Sequence, residues 1–180
     1  MTFFILAVVF IIALLFVLGL HTFDKVDTEI EIDGTTDEVW KVISNFQGYT
    51  DWNPTITNAS GELNEGSMVD VTFALPFSKS MDFNLEVKDI DKGKTFTLVS
   101  TLLEPKILDS VHYLSVEKAE NGNVKFCQGE KFSGLLLYLV FPFIKSTLEN
   151  SFEDMNKALK NRVEGVVEFE TSAQVSSGGV

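Results

Sequence analysis

The stretch IEIDGTTDEVWKVISNFQGYTDWNP, Ile30–Pro54, changes its period twice. It opens on the end of an alternating run. Val26, Thr28, Ile30 and Ile32 face one way and Asp27, Glu29, Glu31 and Asp33 the other, which predicts a half-buried strand. Thr35 or Thr36 then offers an N-cap, Asp37 and Glu38 fall in the first turn, and Val39, Trp40, Ile43 and Phe46 recur at helical spacing. Gly48 is expected to stop this helix. Tyr49–Asn53 reads as one further helical turn, which Pro54 ends while holding Asn53 extended. Trp52 is expected to plug the end of a core, with the Asn53 side chain tying down loop backbone. The alternative is that Trp52 or Tyr49 lines the entrance to a cavity.

Downstream of this corner the pattern is nearly all strand. Thr55–Ser60, Ser67–Leu75, Met81–Asp89, Lys94–Leu103, Ser110–Glu117 and Asn123–Ser133 are the candidates, separated by the turn signals NEG (64–66), DKG (91–93) and ENGN (120–123). Pro76 and Pro105 fall in linkers between them. The period then returns to that of a helix. Leu148, Phe152, Met155, Leu159 and Val163 form one apolar stripe, predicting a long amphipathic helix that begins soon after Pro142. An antiparallel sheet with one apolar face must be covered, and this helix is the only element large enough to cover it. A curved sheet around a straight helix leaves space between them, the natural place for a ligand.

The N-terminus is of another kind. TFFILAVVFIIALLFVLGL, Thr2–Leu20, contains no charge and no proline. As a helix it spans about 28 Å, close to the thickness of a hydrocarbon core. It lacks the basic n-region and the small-residue cleavage site of a signal peptide, and no charged face suits it to lying on a lipid surface. Residues 1–22 are therefore expected to be a transmembrane anchor, 26–165 one domain and 166–180 a disordered tail. Lys25 beside the anchor faintly favours a cytoplasmic domain by the positive-inside rule. The bilayer is thus an expected partner through residues 2–20.

The anchor is uncharged, so the formal charge of −12 sits wholly on the rest of the chain. That argues against nucleic acid, whose affinity comes largely from basic patches, and against electrostatic adhesion to anionic lipid. Cys127 is the only cysteine, which leaves no internal disulfide and no cysteine-based zinc site. The two histidines, His21 and His112, lie at separate places in the pattern, and no cofactor is read from the sequence.

Four stretches carry a family likeness. They are IEIDGTTDEVWKVISNFQGYTDWNP, GELNEGSMVDV (61–71), VHYLSVEKAENGNVKFCQGEKFSGLL (111–136) and FEDMNKALKNRVE (152–164), in that order. Together they resemble the SRPBCC superfamily, also described as START-like or polyketide cyclase/dehydrase-like. The resemblance implies an α+β helix-grip fold, a seven-stranded antiparallel sheet wrapped around the C-terminal helix. It also implies a deep cavity that in relatives receives lipids, sterols, quinones, hormones or polyketides. It implies no reaction, since members include transfer proteins, binders, sensors and cyclases.

The ENGN hairpin supplies the polar candidates. A register pairing Val116 with Phe126 sets Leu114 opposite Gln128 and His112 opposite Glu130, and turns His112, Gln128 and Glu130 toward the concave face. There a His–Glu pair is suited to general-base chemistry, to holding a ligand head group, or simply to satisfying itself. Phe73, Phe83, Phe96, Phe126, Phe132 and Phe152, with Met155 and Trp52, are candidates for lining an apolar cavity, against the alternative of dense core packing. The run LLLYLVFPF, Leu135–Phe143, is too short to span a bilayer and reads as the start of the long helix or a surface touching lipid or a partner.

Three functions are open at this stage. The first is a membrane-anchored binding protein for a hydrophobic, lipid-like ligand. The second is an accessory subunit of a larger membrane complex. The third is a cyclase or aromatase acting through His112 and Glu130.

Overall fold

A computed structural model of the chain describes residues 2–19, 23–74, 80–102 and 104–165. The expected tail, 166–180, lies outside the described residues, as does part of the expected anchor. The elements run α1 (Thr2–Gly19), β1 (Phe23–Ile32), α2 (Thr36–Ile43), a 3-10 helix (Phe46–Asp51), β2 (Ile56–Ser60), β3 (Met68–Phe73), β4 (Met81–Asp91), β5 (Thr95–Leu102), β6 (Leu108–Lys118), β7 (Val124–Ser133) and α3 (Leu137–Glu164). The strands form one antiparallel sheet in the order β1-β7-β6-β5-β4-β3-β2, so the first strand closes against the last. α3 lies across its apolar face, chiefly against β1. This is the helix-grip arrangement, and every strand expected from the pattern is present.

Local chemistry explains the turns. Thr35 caps α2 in a reciprocal box, its Oγ1 accepting the Glu38 N–H at 3.2 Å while the Glu38 carboxylate accepts the Thr35 N–H at 2.8 Å. α2 ends at Ile43, earlier than Gly48 suggests. Asn45 leaves the helical region at φ −97° and ψ 83°, and the chain tightens into the 3-10 turn, which buries Phe46 and Tyr49. The Tyr49 hydroxyl donates to the Ile43 carbonyl at 2.6 Å, fixing that corner. Asn53 plays the expected tying role, its Oδ1 accepting the Thr55 N–H at 2.9 Å.

α3 begins before Pro142, not after it. The missing Pro142 N–H removes a single intrahelical bond, while Leu137 and Phe141 on the preceding turns are buried. Gly134, at φ 119°, makes the bend into the helix. A Cβ there would stand 2.6 Å from the Ile107 carbonyl oxygen.

The core divides in two. The larger cluster gathers α2, the corner, the middle of the sheet and the second half of α3, around Phe96, Phe126, Ile43 and Leu159. The smaller comprises Val26, Leu108, Phe132, Leu137, Phe141 and Phe152, at the end where α3 starts. Among the described residues no helix is long and apolar enough to cross a membrane. The side chains at 11–13 and 15–20 are outside those residues. All the α1 side chains that are described, 3–10 and Leu14, are exposed.

Candidate functional site

Pairing of β1, β7, β6 and β5 places Thr28, Gln128, Leu114 and Phe96 in one cross-strand row. Val26, Glu130, His112 and Leu98 form the next. The hairpin register is the one the sequence suggests, with Val116 opposite Phe126 and His112 opposite Glu130. The strand period of two therefore turns Gln128, Glu130 and His112 onto the face covered by α3. They lie between the two apolar clusters as a polar belt.

Gln128 is the centre of the belt. Fully buried, it donates from Nε2 to the Asn156 Oδ1 at 2.6 Å and to the Phe152 carbonyl at 3.2 Å. Asn156, also buried, passes the chain on to the Thr28 hydroxyl at 3.1 Å. This network fastens α3 to both β7 and β1. The His112 ring packs on Phe152, with centroids 4.9 Å apart and planes tilted by 45°.

Two buried atoms of the belt, His112 Nε2 and Gln128 Oε1, have only each other to pair with among the described residues, and the His112–Gln128 side-chain contact works against the lowering of the His112 pKa. Desolvation lowers the His112 pKa to about 4, only partly offset by the neighbouring Gln128 amide, so the imidazole is neutral at pH 7. Desolvation also pushes Glu130 up to about 7, against a smaller lowering by the Ser110 hydroxyl. The belt thus offers an amide oxygen, a neutral imidazole and a carboxyl that is partly protonated near neutrality. These groups can accept and donate hydrogen bonds without a fixed charge.

For the His112–Glu130 pair, open to three roles, the geometry gives the register: the two face each other across the strands, with His112 in side-chain contact with Gln128 and Glu130 with Ser110. The aromatic candidates also sort themselves. Phe96, Phe126 and Met155 fill the larger cluster, and Phe132 and Phe152 the smaller. Phe73 and Phe83 meet edge to face at 5.5 Å and are partly buried, and Trp52 packs on Tyr49 at 5.0 Å. None of them lines the pocket of about 500 Å³ between α2 and the β2–β3 and β4–β5 turns, where Trp40, Phe46, Leu63 and Ile90 supply the apolar wall. Thr28, Ser110 and Asn156 are belt residues that the sequence reading missed. Asn156 carries a usable signal, a polar residue one turn after Phe152 on the apolar stripe.

Comparison with known proteins agrees with this architecture. Residues 24–164 match the family described as polyketide cyclase/dehydrase and lipid transport. The chain belongs to that family. Among solved structures it is similar to the Zhui aromatase/cyclase from Streptomyces sp. R1128, with a TM-score of 0.67 at 14% identity over 88% of this chain and 100% of that one. A START superfamily protein from Mycobacterium smegmatis is similar at a TM-score of 0.63 and 16% identity, covering 79% of this chain and 99% of that one. Norcoclaurine synthase from Thalictrum flavum, solved with dopamine and hydroxybenzaldehyde, gives a TM-score of 0.62 at 14% identity over 82% and 90%. At such identities the likeness is one of fold. No curated protein sequence matches the chain.

Proposed function

We propose that this family member is a single-pass membrane-anchored binding protein for a hydrophobic, lipid-like molecule. The ligand's apolar body lies between sheet and α3, and a polar group within it meets the belt. The observation that carries the reading is the layer formed by the fully buried Gln128 with the half-buried His112 and Glu130 between two apolar clusters, a neutral imidazole and a carboxyl raised toward neutrality. Such a layer suits a molecule that is apolar at both ends and bears a hydroxyl or carbonyl between them. The anchor is supported by the uninterrupted apolarity of Thr2–Leu20 and by the exposure of all its described side chains. Tethering raises the local concentration of a poorly soluble ligand.

A cyclase reading has one observation in its favour, the neutral imidazole of His112 in a fold shared with an aromatase/cyclase. Its side-chain contact is with Gln128, and binding is the better account.

The test is native mass spectrometry of the full chain extracted from its own membrane in mild detergent, followed by lipid identification. An adduct of lipid-like mass, abolished by Gln128→Leu in a folded variant, is the expected result. A chain that carries only its own mass overturns the binding reading. Co-purified proteins in fixed stoichiometry, with no lipid adduct, would favour an accessory subunit instead.

A further inference from the structure

The sheet has two ends, and antiparallel pairing says which groups share each. The start of β1, the ends of β3 and β5, the starts of β4 and β6 and the passage from β7 into α3 lie together at one end. Phe23 pairs with Ser133 there, and Leu135 and Leu136 donate to the carbonyls of Lys106 and Ile107 at 3.0 Å. α1 reaches the domain at the same end. Gly19 and Phe23 are four residues apart, at most about 14 Å of extended chain.

That end is unusually greasy. Leu139 and Phe143, one turn apart on the outward side of α3, are 68% and 83% exposed, and Phe23 is 71% exposed. Met81, at the start of β4, adds a fourth exposed apolar group. At the opposite end the turns carry Glu62, Asn64 and Glu65, Asp91 and Lys92, and Glu120 and Asn121, with Met68 as the one large exposed hydrophobe among the described residues.

We propose that the first two turns of α3 rest in the bilayer interface through Leu139 and Phe143, giving the domain a second membrane contact beside its tether. The inference depends on the anchor reading above. The occupant is lipid because the tether holds these side chains within a few residues' reach of the membrane surface. A second copy would need roughly 800 Å² of matched surface per partner, more than isolated side chains on a rim provide. Lys145, half exposed, has its Nζ 6.0 Å from the Phe141 ring and 3.9 Å from the Glu149 carboxylate, so its stem runs along the apolar face while its charge stays paired on the helix. The contact is apolar rather than electrostatic, since a domain of charge −12 gains nothing from anionic lipid.

The experiment uses the full chain in phosphatidylcholine nanodiscs, with Cys127→Ser and single nitroxide labels at Leu139→Cys, Phe143→Cys, Asn121→Cys and Val9→Cys. Collision accessibility to oxygen and to a water-soluble nickel complex is read at each site. The expected result is lipid-like accessibility at 9, 139 and 143 and aqueous accessibility at 121, unchanged in 1 M NaCl. If 9 is in lipid while 139 and 143 match 121, the second contact is wrong and the anchor stands. If 9 itself is aqueous, the anchor fails and the proposal with it. Labels at 139 and 143 shielded from both reagents would mean a protein covers this face. Labels there that turn aqueous in 1 M NaCl would mean charge holds the domain down. Either result overturns the proposal.

Discussion

α3 packs along its length, through Met155, Leu159 and Val163 toward its C-terminus as through Leu137 and Phe141 near its start. Its two ends differ in the bonds added to that burial. At the C-terminal end Glu164 accepts the Asp33 N–H at 2.8 Å and Lys160 donates to the Glu31 carbonyl at 2.7 Å. Gly165 closes the helix in the left-handed region, and the surrounding turns are polar. At the N-terminal end the grip is apolar burial of Leu137 and Phe141 against Val26, Leu108 and Phe132, helped by backbone hydrogen bonds. Polar fastenings hold by geometry in water. Apolar ones depend on excluding it. The C-terminal end adds polar bonds at a solvated rim, the N-terminal end adds backbone bonds to its burial, and the belt of Gln128, His112 and Glu130 lies between the two.

The comparison breaks most readily at Gly134. It sits at the apolar end at φ 119°, with the Ile107 and Lys106 carbonyls within 2.9 Å of where a Cβ would go. Gly122 at the polar end has φ 93° and open space around it. Gly134→Ala is expected to cost about 3 kcal/mol or more, adding a backbone clash to the conformational strain. Gly122→Ala should cost only about 1–2 kcal/mol, from the left-handed conformation alone. Urea unfolding of the full chain in mild detergent compares them, and equal losses would mean the β7–α3 corner can relax.

Gln128 tests whether the belt binds the two ends together. Gln128→Leu fills the volume but strands the Asn156 Oδ1, while the Phe152 carbonyl keeps its bond within α3, a loss of about 1–3 kcal/mol. Adding Asn156→Leu removes a stranded partner and should recover about half, since replacing both partners by apolar groups is far less costly than removing one. The same unfolding measurement reads both variants. A single variant costing under about 0.5 kcal/mol would show that the network does not hold α3.

Much of this architecture is legible in the sequence. The alternation of Val26–Asp33, the turn signals and the Leu148–Val163 stripe mark elements because period and turn chemistry are local properties. The His112–Glu130 register follows from hairpin length and the need to bury one face. Asn156 escapes because a stripe read for apolar residues passes over a polar one, and its burial depends on Gln128, 28 residues earlier. The start of α3 is read two ways, as a helix beginning after Pro142 or as one begun by Leu135–Phe143, and the second holds. Pro142 looks like a boundary, yet burying Leu137 and Phe141 outweighs one lost hydrogen bond. The filling of the interior by Phe96 and Phe126 is likewise a matter of three-dimensional packing, which aromatic composition does not encode.

Glu130 offers the finest test of the boundary, because its charge state reports how dry the belt is. Its pKa rises on folding from 4.5 to about 7, so the folded chain holds this proton more tightly than the unfolded one. Its contribution to stability is complete below pH 4.5 and is lost as the pH rises through 7. His112 runs the other way, lowered from 6.5 to about 4, so its contribution is present above pH 6.5 and lost as the pH falls through 4. Between about pH 4.5 and 6.5 the two slopes oppose each other, and in the wild type neither is visible by itself. Subtracting the wild type from Glu130→Gln removes the histidine and every surface carboxylate, leaving the Glu130 slope alone. The variant's advantage is expected to be near zero at about pH 4.5 and to grow to about 1–2 kcal/mol by about pH 8. That figure is discounted from the full shift because the residue is only partly buried by area. Unfolding midpoints across that range read it directly. A difference that stays flat with pH would put the Glu130 carboxyl in water and move the edge of the apolar end past it.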